Sequence, residues 1–175
     1  MIEDELRKEN YENTCFITMP IWKLVILTVL TFGLYEIVWF FKYWKTIKNA
    51  NNEKISPLWR ALFAGFSCFW LFPILAKYIA KHDVKAFSGV GMASAYFILN
   101  ALYKAPDPFW LLSLLSLIPI IIIQTKINNI NKTFYPNAGI SKWTWKTTLF
   151  LVLYIIVFCA LSFLYALFLL YTGQA

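Results

Sequence analysis

Glu36 is the residue whose type and place most need a chemical reason. It follows Thr31-Phe32-Gly33-Leu34-Tyr35 in a stretch that is otherwise almost wholly apolar from Leu24 to Phe41. Comparable charges at the centre of a membrane helix cost roughly 2.5–3.5 kcal/mol on insertion scales, and such residues face a partner or a polar path. A carboxylate there can bind a cation, relay a proton or hold a substrate amine. It can equally close a helical bundle through an ion pair, or sit at the membrane interface. Lys77, flanked by apolar runs on both sides, is the expected ion-pair partner, with Arg60 second.

A second constellation is Gln124-x-x-x-Asn128-x-x-Asn131. On a helix these three share one face, and Ile123, Ile127, Ile130 and Phe134 form the adjoining one. Amides offer both donors and acceptors, so this face suits a neutral polar path, lipid phosphates, or the freed backbone groups of a broken helix. A third group is Lys42, Lys45, Lys48, Lys54 and Arg60. It reads as a contact with anionic phospholipid headgroups, worth on the order of 1 kcal/mol per charge. Ser56-Pro57 within it has the form of an N-cap and first helical position.

Other reactive types are sparse. His82 is the sole histidine, and adjacent residues such as His82 and Asp83 diverge on a helix, so no triad is expected. Cys15, Cys68 and Cys159 are far apart and have no metal-ligand spacing. We therefore expect no metal, no cofactor and no enzymatic activity.

The elements that must position these residues follow from composition. Of 175 residues, 60% are hydrophobic and 14% charged, against about 45–50% and about 25% in soluble domains. A chain this short cannot hide that excess in a water-facing core. The expected fold is an all-α integral membrane protein, with a polar cytoplasmic segment at 1–19 and a single helical membrane domain at 20–175. The beginning of the chain is polar and lacks the apolar core of a cleavable signal. The net charge of +7 falls at the ends of apolar runs, which points to anionic lipid and not to nucleic acid.

Five apolar segments can be marked: A, Ile21–Trp44; B, Leu58–Ile79; C, Phe87–Tyr103; D, Phe109–Ile123; and E, Thr147–Tyr171. C and D read as a helical hairpin turning at Ala105–Asp107. Segment E is free of charge, proline and glycine. A and B have the length to cross, but Gly33 and Pro73 interrupt them. Five plain spans would put Lys42, Lys45, Lys48, Lys54, Arg60 and Lys104 outside. If A and B each enter and leave on the cytoplasmic side while C, D and E span, only Lys104 lies outside. The positive-inside rule favours the second arrangement, with Gly33 and Pro73 as the bends. Trp22, Trp44, Trp59, Trp110, Trp143 and Trp145 fall near segment ends, as interfacial belts do, whereas Trp39 and Trp70 are expected to pack between helices.

The run Thr31-Phe32-Gly33-Leu34-Tyr35-x-x-x-Trp39, with Trp44, Ile55-Ser56-Pro57-x-x-Arg60-Ala61-x-Phe63-Ala64 and Gln124-x-x-Ile127-Asn128-x-Ile130-Asn131, resembles a group of uncharacterised small bacterial membrane proteins. The likeness covers roughly residues 20–135. It implies a multi-pass protein of the bacterial inner membrane and transfers no catalytic role. Such segments often carry an aromatic where this chain has Glu36. Two functions remain open: a channel or transport path built by a homo-oligomer, or a membrane scaffold that contacts lipid.

Overall fold

The structure, a computed structural model, describes residues 15–51, 54–82, 87–106, 108–135 and 145–172. It is helical, with no sheet among the described residues. Two compact units divide the chain, Met1–Ser141 and Lys142–Ala175. The first holds α1 (Ile21–Leu30), α2 (Leu34–Asn51), α3 (Pro57–Leu62), α4 (Ala64–Lys81), α5 (Gly89–Ala101) and α6 (Leu117–Phe134). Short 3-10 turns at Leu102–Lys104 and Phe109–Ser116 join α5 to α6.

Segment A is a helical hairpin. α1 ends in a Schellman motif: Phe32 N donates to Val29 O and Gly33 N to Thr28 O, at 3.2 and 2.8 Å. These bonds take up carbonyls that a helix end leaves open. Phe32 occupies the left-handed position at φ 48°, followed by Gly33 at 88°. The Thr31 hydroxyl then accepts from Tyr35 N at 3.0 Å and starts α2. The two helices run back along each other: Tyr35 reaches Met19, and the rings of Phe16 and Tyr43 stack at 5.6 Å.

Segment B also reverses, at a different place from the one expected. α3 starts at Pro57 with Ser56 as N-cap, although the Ser56 side chain makes no capping bond. It runs antiparallel to α2, with Arg60 over the Trp44 ring and Leu62 beside the level of Glu36. The chain turns at Phe63 (φ −95°, ψ 43°). α4 then climbs past Phe40 to the level of Phe16, where Tyr78 meets it edge-on. Pro73 lies inside α4 and is not the bend. Its missing N–H and small ring instead give a notch that receives Gly89, the first residue of α5.

Segments C and D form the third hairpin, turning through Ala105, Pro106 and Pro108; Asp107 lies outside the described residues. α5 has 13 residues, about 20 Å at 1.5 Å per residue and short of the ~30 Å hydrocarbon core. Among the described residues, two stretches are long and apolar enough to cross a membrane: Leu111–Phe134 and Val152–Thr172. The latter lies in α7 (Trp145–Thr172), the helix of the second unit, which is apolar all round.

The core of the first unit is aromatic. Trp39, Phe40, Tyr43, Phe72, Tyr78 and Tyr96 are buried, in tilted, edge-on or stacked ring pairs. Such pairs contribute about 0.5–1.5 kcal/mol each beyond area burial. Phe16 and Met19, on the segment expected to be polar and cytoplasmic, belong to this core. Trp39 is internal as expected. Trp70 is 64% exposed and faces outward with Trp59, Phe63 and Phe66.

The two glycine positions separate packing from conformation. At Gly89 an added Cβ would lie 2.5 Å from Pro73 Cα, and backbone must move to admit it. At Gly33 nothing lies within 4 Å, and the φ of +88° is the sole objection. Gly33→Ala should therefore cost about 1–2 kcal/mol and Gly89→Ala distinctly more, read as thermal midpoints of the detergent-purified protein. A larger loss for Gly33→Ala would contradict the notch.

Candidate functional site

The amide face of α6 does structural work at the end of the bundle where the chain enters. Gln124 Oε1 accepts from Trp39 Nε1 at 2.8 Å and from Tyr43 OH at 2.9 Å. Its Nε2 donates to Ile17 O and to Asn128 Oδ1, both at 2.9 Å. Asn128 holds Met19 from both sides, accepting from its N at 3.1 Å and donating to its O at 2.7 Å. Asn131 donates to Phe16 O at 2.6 Å and to Thr18 Oγ1 at 2.7 Å. Residues 16–19 are thus an extended segment pinned along α6 by amides that imitate a neighbouring strand. Of the roles open to this face, the structure supports the backbone-satisfying one. The backbone served is the approach to segment A and not the break at Gly33, which satisfies itself.

Glu36 sits at the opposite end, 5% exposed. Tyr96 OH donates to its Oε2 at 2.7 Å and Ser116 Oγ to its Oε1 at 3.2 Å. Asn100 faces the same carboxylate. Lys77, the expected ion-pair partner, is exposed on α4. It lies in the last third of that helix, far along it from Ala64, the α4 residue at the level of Glu36. Arg60 instead lies over the Trp44 ring, 4.4 Å from its centroid. The pairing fails because α4 passes Glu36 at its N-terminal end, which the position of Pro73 does not reveal. The hydroxyl partners escaped sequence reasoning, since Tyr96 and Ser116 are 60 and 80 residues distant and look like ordinary members of apolar segments.

A cavity of about 250 Å³ opens beside Glu36, where the tips of all three hairpins meet. Gly33 and Phe32 come from the first tip, Leu62 and Gly65 from the second, and Tyr103, Ser113 and Ser116 from the third. No lysine or arginine is among its lining residues. Thr28, 3% exposed, also lines it, and the Thr28 Oγ1 atom has no hydrogen-bond partner. The site therefore joins a buried carboxylate and an unused hydroxyl to apolar walls.

The lysines are spread along one end. Lys45 and Lys54 are exposed, and Lys42 and Lys48 half-buried, with Lys42 Nζ donating to Tyr35 OH at 3.4 Å. Neither they nor Arg60 approach the Glu36 cavity. His82 packs between Tyr78 and Phe134; its neighbour Asp83 lies outside the described residues, as do Trp143 and the residues beside it. Cys68 is buried and Cys15 and Cys159 are exposed, all three as free thiols. Among the described residues no three metal-ligating side chains cluster.

No family model, curated protein or solved structure matches this chain.

Gln124 uses both lone-pair directions of its oxygen and both amide protons. Gln124→Leu leaves an indole N–H, a phenol, a backbone carbonyl and the Asn128 oxygen short of a partner, at about 1–3 kcal/mol for each that stays dry. The variant should lose hydrogen-exchange protection at residues 16–19 before it loses helix content. Unchanged protection there would show that the amides are not what pins the segment.

Proposed function

We propose that the protein is a multi-pass bacterial inner-membrane protein of the small group its Thr-Phe-Gly-Leu-Tyr stretch resembles. As a homo-oligomer, it forms or supports a transport or channel path and has no enzymatic role. The observation that carries this reading is the Glu36 cavity, where three hairpin tips and a buried carboxylate come together away from every basic side chain of the lysine-rich end. Broken or re-entrant backbone at membrane depth is tolerated where it lines a protein-enclosed or water-filled space, and intramembrane carboxylates mark ion or substrate paths.

In this reading the N-terminus is cytoplasmic, and the first two hairpins enter and leave on the cytoplasmic face. The third hairpin carries Lys104 to the far side, and α7 crosses. Two features support it. The loops that join the first hairpin to the second and the second to the third leave from the end that holds Phe16, Tyr43 and Tyr78. α1, with 10 residues and about 15 Å long, is too short to cross alone.

A specific observation favours lipid contact as a second role. Trp59, Arg60, Phe63, Phe66, Ser67 and Trp70 line a groove of about 280 Å³ between the arms of the second hairpin. Arg60, held on Trp44, suits a phospholipid phosphate above apolar walls. A scaffold that binds anionic lipid through this groove and the Lys42–Lys54 stretch needs no solute path.

Two measurements separate these readings. Single cysteines at positions 48–54 and 81–85, in a background lacking Cys15, Cys68 and Cys159, should resist membrane-impermeant reagent in intact cells. A reactive 48–54 loop would sink the two re-entrant hairpins. In proteoliposomes, Glu36→Gln should abolish solute or ion flux while oligomer size is kept. Wild-type vesicles with no flux, yet with tight anionic-lipid retention lost in Arg60→Gln, would establish the scaffold instead.

A further inference from the structure

The chemistry of the cavity wall narrows what it can hold. Its charged group is one carboxylate, met by the hydroxyls of Tyr96 and Ser116 and the Asn100 amide, and by no cationic side chain among its lining residues. A buried anion partnered only by neutral donors leaves a field that a cation satisfies and an anion does not. Next to it, Thr28 belongs to the same lining, and its buried hydroxyl has no partner. Buried hydroxyls usually have one; Ser67 Oγ and Tyr78 OH also lack one, but of the three only Thr28 belongs to a residue lining this cavity, which makes it a second observation at the site beside the carboxylate.

The rest of the wall argues against a bare metal ion. A hard cation takes a shell of six or more oxygens, whereas Val29, Ile37, Leu62, Leu114 and Leu117 give this cavity hydrocarbon sides. The aromatic side chains of Phe32 and Tyr103 belong to the same lining, and ring faces attract organic cations. A polar floor with one negative charge, under apolar and aromatic walls, is complementary to an ammonium head on a short hydrocarbon body.

We infer that the Glu36 cavity binds a small organic ammonium ion, a primary amine with a short apolar chain, with Glu36 and Thr28 Oγ1 taking the N–H groups. The inference rests on reading the cavity as the solute station of the transport path, and the two can fail separately. Saturable amine binding without flux would sink transport and leave the ligand class standing. Potassium flux without amine binding would do the reverse.

The test is calorimetric titration of the detergent-purified full chain with n-butylammonium chloride, against n-butanol, sodium chloride and potassium chloride. Butylammonium should bind saturably and the other three should not. Glu36→Gln should weaken it by about ten- to a hundredfold, the loss of a charge-assisted bond. Thr28→Val, which removes a hydroxyl no other group uses and so leaves the fold intact, should weaken it by about two- to tenfold. Equal binding of butanol, binding of the inorganic cations in place of the amine, or wild-type affinity in Thr28→Val would each overturn the assignment. The Thr28 variant decides the matter if Glu36→Gln does not fold.

Discussion

Backbone groups that water cannot reach must find partners within the chain, and in this protein that constraint shapes everything else. Each of the three hairpins breaks a helix and frees N–H and C=O groups. The first tip closes on itself through the Schellman bonds to Thr28 and Val29 and through Thr31. The extended residues 16–19 borrow the amides of Gln124, Asn128 and Asn131. Those amides also seize Trp39 and Tyr43. One face of α6 thereby fixes the register of α2 and of the entry to α1 together, and the aromatic core assembles on that frame.

Much of this was legible in the sequence because it follows from simple rules. Gly33 and the shortness of the apolar run before it announce a turn, and the Ala105–Pro108 region announces another. The four-and-three spacing of Gln124, Asn128 and Asn131 places them on one face, and amides on such a face in an apolar protein ask for backbone to hold. The bend of segment B was not legible. Proline is the stronger signal, yet α4 keeps Pro73 inside it and turns at Phe63, a residue with no breaker character. The proline serves a packing need instead, because Gly89 must approach the backbone there. Long-range hydroxyl partners were equally invisible: nothing in the types of Tyr96 or Ser116 distinguishes them from other tyrosines and serines in apolar segments. Trp70 failed for a related reason, since an internal position in a segment does not say which way the helix face turns.

The same geometry explains why Glu36 keeps its place without a salt bridge. A lysine reaching it would have to come from the N-terminal end of α4 or from the third tip; the cavity wall there is Ala64, Gly65, Ser113 and Ser116, and the third tip's Lys104 is exposed and not part of the lining. Small and hydroxylic residues let the tips approach closely, as they do at helix contacts within membranes. A basic side chain would fill the space the tips enclose. The carboxylate and the cavity are therefore two results of one choice of small residues.

The two ends of the bundle differ in how fully their polar groups are engaged, and that difference bears on function. At Gln124 and Asn128 nearly every donor and acceptor is occupied, which makes these two amides a firm anchor for residues 16–19, although Asn131 Oδ1 and Tyr78 OH at the same end are unpartnered. At the hairpin tips Glu36 has only neutral donors, Tyr96, Ser116 and Asn100, Thr28 Oγ1 has no partner, and Phe32 sits in a left-handed conformation that favours glycine. Strained and under-bonded groups beside open space are where a guest gains most by binding. Buried atoms without a partner occur at the other end as well, at Trp44 Nε1, Tyr78 OH and Asn131 Oδ1, but among the described residues Thr28 is the one such residue that lines the Glu36 cavity; the tips set a buried carboxylate beside open space, and α6 holds the chain.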